Sequence, residues 1–140
     1  MNTRYSALVT LKKNKVQQSE RLVQRANADL NRATTELHIS YETLSKVEAP
    51  QEGSISKYIA SRSLLQSARE SIEHNKEWIR YAKNQVEIAR EALKTDMIEH
   101  EKFKYLEQQE IMKIMKELKQ KESKELDEIA LMTYAKNDER

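Results

Sequence analysis

Apolar residues return every seven positions along two stretches of this chain. In the first, Val9, Val16, Val23, Leu30, Leu37 and Leu44 follow one another without a miss, and we label that position a. The accompanying d position holds Lys12, Ser19, Ala26, Ala33, Ser40 and Val47, which are mostly small. In the second stretch the a residues are Tyr58, Leu65, Ile72, Ile79, Val86 and Leu93, and the d residues are Ser61, Ala68, Asn75, Ala82, Ala89 and Asp96. A sustained seven-residue repeat with a narrow apolar seam predicts helices paired as a coiled coil.

Between the two stretches lies the chain's one cluster of helix breakers, Ala49-Pro50-Gln51-Glu52-Gly53-Ser54. Proline disfavours the helical conformation in the residue before it, so Pro50 is expected to end the first helix at Ala49. Gly53 permits a reversal, and Ser54 or Ser56 can cap the second helix. Asn2 or Thr3 can cap the start. The prediction is an all-α fold of one coiled-coil domain over residues 1–140. Helix 1 spans about residues 3–48, a loop covers 49–54, and helix 2 spans about residues 55–136.

Two helices joined by so short a loop run antiparallel, which sets each a residue against a d residue of the other helix. A loop centred near residue 52 pairs Val16 with Ala89, Val23 with Ala82, Leu30 with Asn75, Leu37 with Ala68 and Leu44 with Ser61. It also pairs Ser19 with Val86, Ala26 with Ile79, Ala33 with Ile72, Ser40 with Leu65 and Val47 with Tyr58. Every layer but the last sets a large side chain against a small or slim polar one. The predicted seam is therefore Val16, Val23, Leu30, Leu37, Leu44, Leu65, Ile72, Ile79, Val86 and Leu93. Asn75 is its polar intruder, a residue type that fixes register in such seams.

By that register Thr3 lies opposite about Lys102, and helix 1 is then exhausted. Helix 2 runs on for more than thirty residues, roughly 50 Å at 1.5 Å per residue. This overhang, about residues 103–136, carries Phe103, Leu106, Ile111, Ile114, Met115, Leu118, Leu126 and Ile129. An apolar stripe on a helix without an internal partner predicts a binding partner, so these residues are the candidate contacts. The heptad phase is expected to break after Leu93, because the next a positions would be His100 and Glu107.

Composition narrows the function classes. One glycine, one proline and no cysteine leave no glycine-rich phosphate cradle and no disulfide framework. A net charge of +2 without a basic block argues against nucleic acid. Neither helix sets a basic face opposite bulky apolar residues, as a membrane-surface role requires. The N-terminal stretch is too polar for a signal peptide, and no apolar run reaches the roughly 18–20 residues of a membrane span; the cytoplasm is the expected compartment. His38 with Glu42 and Glu70 with His74 stand one helical turn apart, which on so charged a helix reads as salt bridging rather than metal binding. Carboxylates such as Glu73 and Glu77 have no enclosed pocket to perturb them, so no enzyme, cofactor or metal site is expected. Trp78 and Tyr81 fall outside the seam, where they either cover its flank or mark a recognition surface.

A short first helix, a single loop near residue 50, a longer second helix and a mixed-charge C-terminal helix together resemble the flagellar type III export protein FliJ family. The most specific stretch is Lys119–Tyr134, KQKESKELDEIALMTY, with its core at Lys124–Leu131; the opening Tyr5–Lys12, YSALVTLK, is also similar. The resemblance implies a coiled-coil stalk of bacterial flagellum biogenesis, serving protein transport and motility. Such a stalk inserts the end formed by both termini into the export ATPase hexamer. Its hairpin engages the cytoplasmic domain of the export-gate membrane protein, and it escorts export chaperones. The protein would then be cytoplasmic and peripheral at the inner membrane through the export apparatus. Carried over from the match at Ile72-Glu73, the gate contacts become Leu64, Ala68, Ser71 and Asn75. The family's aromatic is Leu64 here, and a family leucine is Ala68. Two other functions fit the same pattern: a self-assembling structural coiled coil, and the equivalent stalk of a virulence type III secretion system.

Overall fold

The computed structural model describes residues 2–48 and 53–138. They form two helices, α1 over Ser6–Ser45 and α2 over Ile55–Asp138. Contacts divide the chain into two compact units, Val16–Asp96 and the combination of Met1–Lys15 with Met97–Arg140.

Local chemistry explains three of the four helix ends. At the start, the Tyr5 amide donates to the Thr3 hydroxyl at 3.1 Å, while the Thr3 amide donates to Ser6 Oγ at 2.8 Å. This reciprocal arrangement is a capping box with serine in place of the usual glutamate, and it satisfies amides that have no helical partner. At the other end of α1, the Lys46 amide is shared between the Glu42 and Thr43 carbonyls, and the Val47 amide reaches the Leu44 carbonyl. The last turn is thus tightened, and α1 stops at Ser45 rather than near residue 48. The expected break at Pro50 lies outside the described residues. The Ser54 carbonyl accepts from the Lys57 and Tyr58 amides, which begins α2 as expected. Gly53 holds φ at +150°, and a Cβ there would come within 2.9 Å of Lys57 Cδ, so the entry to α2 needs glycine.

In the unit Val16–Asp96 the helices pack antiparallel along the a and d positions. Ala33, Ala68, Ile72, Ala82 and Val86 are buried, with Ser19, Ser40 and Asn75 beside them. Val16, Val23, Leu30, Leu37, Leu44, Leu65, Ile79 and Leu93 are half-buried, which is what a seam one side chain deep produces. Close approach at the alanines and serines lets the larger residues opposite cover them.

The register differs from the expected one. Ser40 Oγ accepts from Asn75 Nδ2, which also donates to the Glu36 carbonyl at 3.2 Å. Ser19 Oγ donates to Asp96, and Ser61 Oγ donates to the Glu48 carbonyl at 3.2 Å. These contacts bracket a register one heptad further along α2, in which Leu37 faces Asn75, Leu30 faces Ala82, Val23 faces Ala89 and Ser40 faces Ile72. The expected set, Leu30 with Asn75 and Val47 with Tyr58 among them, is corrected accordingly. A heptad pattern is unchanged by a shift of seven, so periodicity determines which face packs and not which turn meets which. Polar pairing makes the choice: the expected register sets Asn75 between Leu30 and Ala33, where it loses the Ser40 hydroxyl, a bond worth about 1 kcal/mol. Tyr58 is consequently 55% exposed although it continues the a series.

In the unit Met1–Lys15 with Met97–Arg140, the start of α1 lies against α2 well past Lys102. Arg4 reaches Glu110 at 3.7 Å, and the Lys12 ammonium sits 5.7 Å from the centre of the Phe103 ring. His100, Phe103, Glu107, Glu110 and Ile114 are all half-buried, so the heptad phase continues where a break was expected. Histidine and glutamate occupy those positions because their aliphatic portions pack while their polar ends reach the edge. From Met115 to Asp138 every residue is exposed. The overhang therefore begins near residue 115, not near residue 103.

Candidate partner-binding surfaces

The eight residues predicted for the overhang fall into two groups. Phe103, Leu106, Ile111 and Ile114 are half-buried within the unit that holds the start of α1. Met115, Leu118, Leu126 and Ile129 lie exposed on α2, joined by Leu131, Met132 and Tyr134, which the predicted set omits. Leu126 and Leu131 are about two-thirds exposed, at 66% and 69%. Lys116, Lys119, Lys121 and Lys124 alternate along this stretch with Glu117, Glu122 and Glu125. Such a surface offers apolar anchors within a charge-balanced setting.

The four candidate gate contacts are also split. Leu64 and Ser71 are exposed, whereas Ala68 and Asn75 belong to the seam and are each 8% exposed. Asn75 spends its amide on Ser40 and Glu36, which leaves nothing to present outward. Leu64 has exposed neighbours at the start of α2, and it lines a shallow concavity with Thr43, Val47, Lys57, Ala60 and Ser61. Ile55, Tyr58 and Ile59 are exposed in the same first turns. The exposure of Tyr58 had no signal in the sequence, because it follows from the register, whereas Ile55 and Ile59 fall outside the a and d positions.

Trp78 is half-buried and Tyr81 exposed, and with His74 and Glu77 they line a concavity open to solvent. Glu77 is drawn into an ion pair with Arg80 at 2.6 Å. Within α2, Lys76 is held above its usual pKa by its hydrogen bond to Glu73 one turn away, with further support from the Glu73 charge and from Tyr41 of α1.

His38 lies 3.0 Å from Glu42 and is fully accounted for by that surface contact. Among the described residues, no group of three or more histidine, cysteine, aspartate or glutamate side chains is placed to hold a metal ion. Among the same residues, no helix is long and apolar enough to cross a membrane.

Fold and surfaces together define a class: a two-helix antiparallel coiled coil whose second helix carries a long exposed segment. Residues 1–139 match the family described as "Flagellar FliJ protein", and the chain belongs to that family. Membership of that family supports a role in flagellar export. No curated protein and no solved structure matches it.

Proposed function

We propose that this chain is the coiled-coil stalk of the flagellar export ATPase, with the exposed part of α2 as the element its hexamer holds. The reading rests on one observation: α2 continues from Met115 to Asp138 with every residue exposed and with Met115, Leu118, Leu126, Ile129, Leu131 and Met132 unpartnered. An isolated helix gains little from propensity alone, so apolar residues maintained on it are best explained by a partner that covers them. Dispersed charge suits a helix that sits within a ring and touches several subunits. The exposed start of α2 around Leu64 and Ser71 is the surface offered to the cytoplasmic domain of the export-gate protein. Export chaperones are further partners. The protein works in the cytoplasm and meets the inner membrane through the export apparatus.

Truncation after Ile114 tests the stalk reading while leaving every buried and half-buried position of the described residues in place. Loss of four or more apolar anchors should weaken binding to the purified export ATPase by at least about tenfold, with each hot-spot side chain worth about 1–2 kcal/mol. Measured by fluorescence anisotropy, unchanged affinity would sink the proposal.

A second reading, self-assembly, is favoured by Ile98, Tyr105 and Met112, which are exposed and spaced by seven. Sedimentation equilibrium separates the two. A monomer up to about 1 mM, the range in which weak contacts of about −4 kcal/mol register, removes self-assembly.

A further inference from the structure

We infer that the hairpin of residues 16–96 has two registers one heptad apart, and that sliding between them is a conformational switch held by two polar pairs. The inference is independent of which partner the chain binds.

Four observations carry it. The same a and d residues pack in either register, because the pattern is invariant to a shift of seven. Within residues 16–96 both registers form the same number of layers, nearly all of them large against small. In the observed one, Leu93 and Asp96 meet Ser19 and Val16 while Tyr58 stands exposed. In the slipped one, Tyr58 and Ser61 meet Val47 and Leu44, and Leu93 and Asp96 part from Ser19 and Val16. The apolar stripe of α2 thus extends one heptad beyond what α1 uses. The sequence is long enough for it: nine residues separate Ser45 from Ile55, and nine residues can span up to roughly 30 Å, against a slip of about 10 Å.

What distinguishes the registers is polar. Asn75 bonded to Ser40 and the Glu36 carbonyl, and Ser19 bonded to Asp96, exist only in the observed one. After a slip, Asn75 faces Leu30 and Ala33 and loses the Ser40 hydroxyl, while the Asp29 carbonyl takes the place of the Glu36 carbonyl. A single buried polar residue is a known means of choosing among otherwise equivalent coiled-coil registers. The switch is a direct consequence: a partner that grips both helices and pulls α1 toward the turn by about two helical turns covers Tyr58. A partner that covers Tyr58 moves α1 in return.

The chain has no cysteine, so engineered pairs report register without interference. Val23→Cys with Ala89→Cys faces itself in the observed register, and Val23→Cys with Ala82→Cys does so only after the slip. Val23→Cys with Ala68→Cys faces itself in neither and sets the background. Under mild oxidation the first pair should close fastest, and the second at least about tenfold faster than the third. Adding Asn75→Ala should speed the second pair by about tenfold, since it removes the Ser40 bond that favours the observed register. Spin labels at the exposed positions 35 and 70 give a second readout that leaves the seam intact. These positions are level after the slip and offset by a heptad before it, so Asn75→Ala should add a shorter distance to the distribution. The inference is overturned if the second pair closes no faster than the third in either background, or if no shorter distance develops.

Discussion

Residues 16–96 and residues 115–138 are built from the same kinds of side chain, yet the first region is packed and the second is bare. Both mix lysine and glutamate with leucine, isoleucine and methionine or valine at helical spacing. The difference lies in what stands opposite. In the paired region a large residue on one helix meets alanine, serine or asparagine on the other, and the small partner lets the backbones approach. Ala33, wholly buried, shows the limit of that approach. In the exposed region small residues are scarce and the apolar ones, Leu126, Ile129, Leu131 and Met132, face several directions round the helix. A narrow stripe with small residues beside it is finished within the chain. A broad distribution of large residues is unfinished until another molecule arrives.

The largest expected effect comes from truncating the seam. Ile72 is 5% exposed in the middle of the packed region. Ile72→Ala should cost about 2–4 kcal/mol, combining lost burial with the cavity left behind. Leu126→Ala or Ile129→Ala should change stability by no more than about 0.5 kcal/mol, because neither side chain is covered. Urea denaturation of the three variants measures the contrast directly. Equal losses would mean that the exposed segment is packed in solution, which would erase the distinction between the regions.

The polar layer gives a smaller effect. Asn75→Ala removes the amide that bridges Ser40 and the Glu36 carbonyl, but Ser40 Oγ keeps its own bond to that carbonyl at 2.8 Å. No buried group is orphaned, so the loss should be about 1 kcal/mol, well below that of Ile72→Ala. A loss as large as Ile72→Ala, again by urea denaturation, would show that the polar pair holds the hairpin together rather than merely choosing its register.

How far such features can be read from sequence depends on whether they are local or relative. Heptad phase is local: it places Val86 and Ile72 inside and Lys83 outside without reference to the other helix. Register is relative, and a repeat of seven leaves it open by multiples of seven. The missing information sits in Asn75 and Asp96, whose partners Ser40 and Ser19 are themselves d residues and look like ordinary small spacers. The overhang is legible as a consequence of unequal helix lengths, but its start moves from near residue 103 to near 115 with the register. His100, Glu107 and Glu110 read as a break in the seam only if polarity is equated with exposure. Arg4 and the aliphatic stems of these side chains make them half-buried instead. The family likeness puts Ala68 and Asn75 among the gate contacts at the very positions that the heptad assigns to the seam.

The smallest expected effect concerns a surface ion pair within α2, between Lys76 and Glu73. The hydrogen bond with Glu73, with the help of the Glu73 charge and Tyr41, raises the Lys76 pKa above its usual value of 10.5. A raised pKa means that the folded state holds this proton more tightly than the unfolded chain does. Its contribution is therefore fully present below pH 10.5 and is lost as pH rises through the higher folded value. Glu73→Gln removes the main cause. The gap in urea midpoint between the parent and the Glu73→Gln variant should be open at about pH 9 and should close as Lys76 deprotonates in the folded protein. Running both in a Tyr41→Phe background keeps the tyrosine's own titration out of the difference. The contact is solvent-exposed, so the gap should be the least of the effects considered and should shrink further with added salt. A gap that widened with pH would mean that the folded state stabilises Lys76 in its neutral form, which would overturn the role assigned to Glu73.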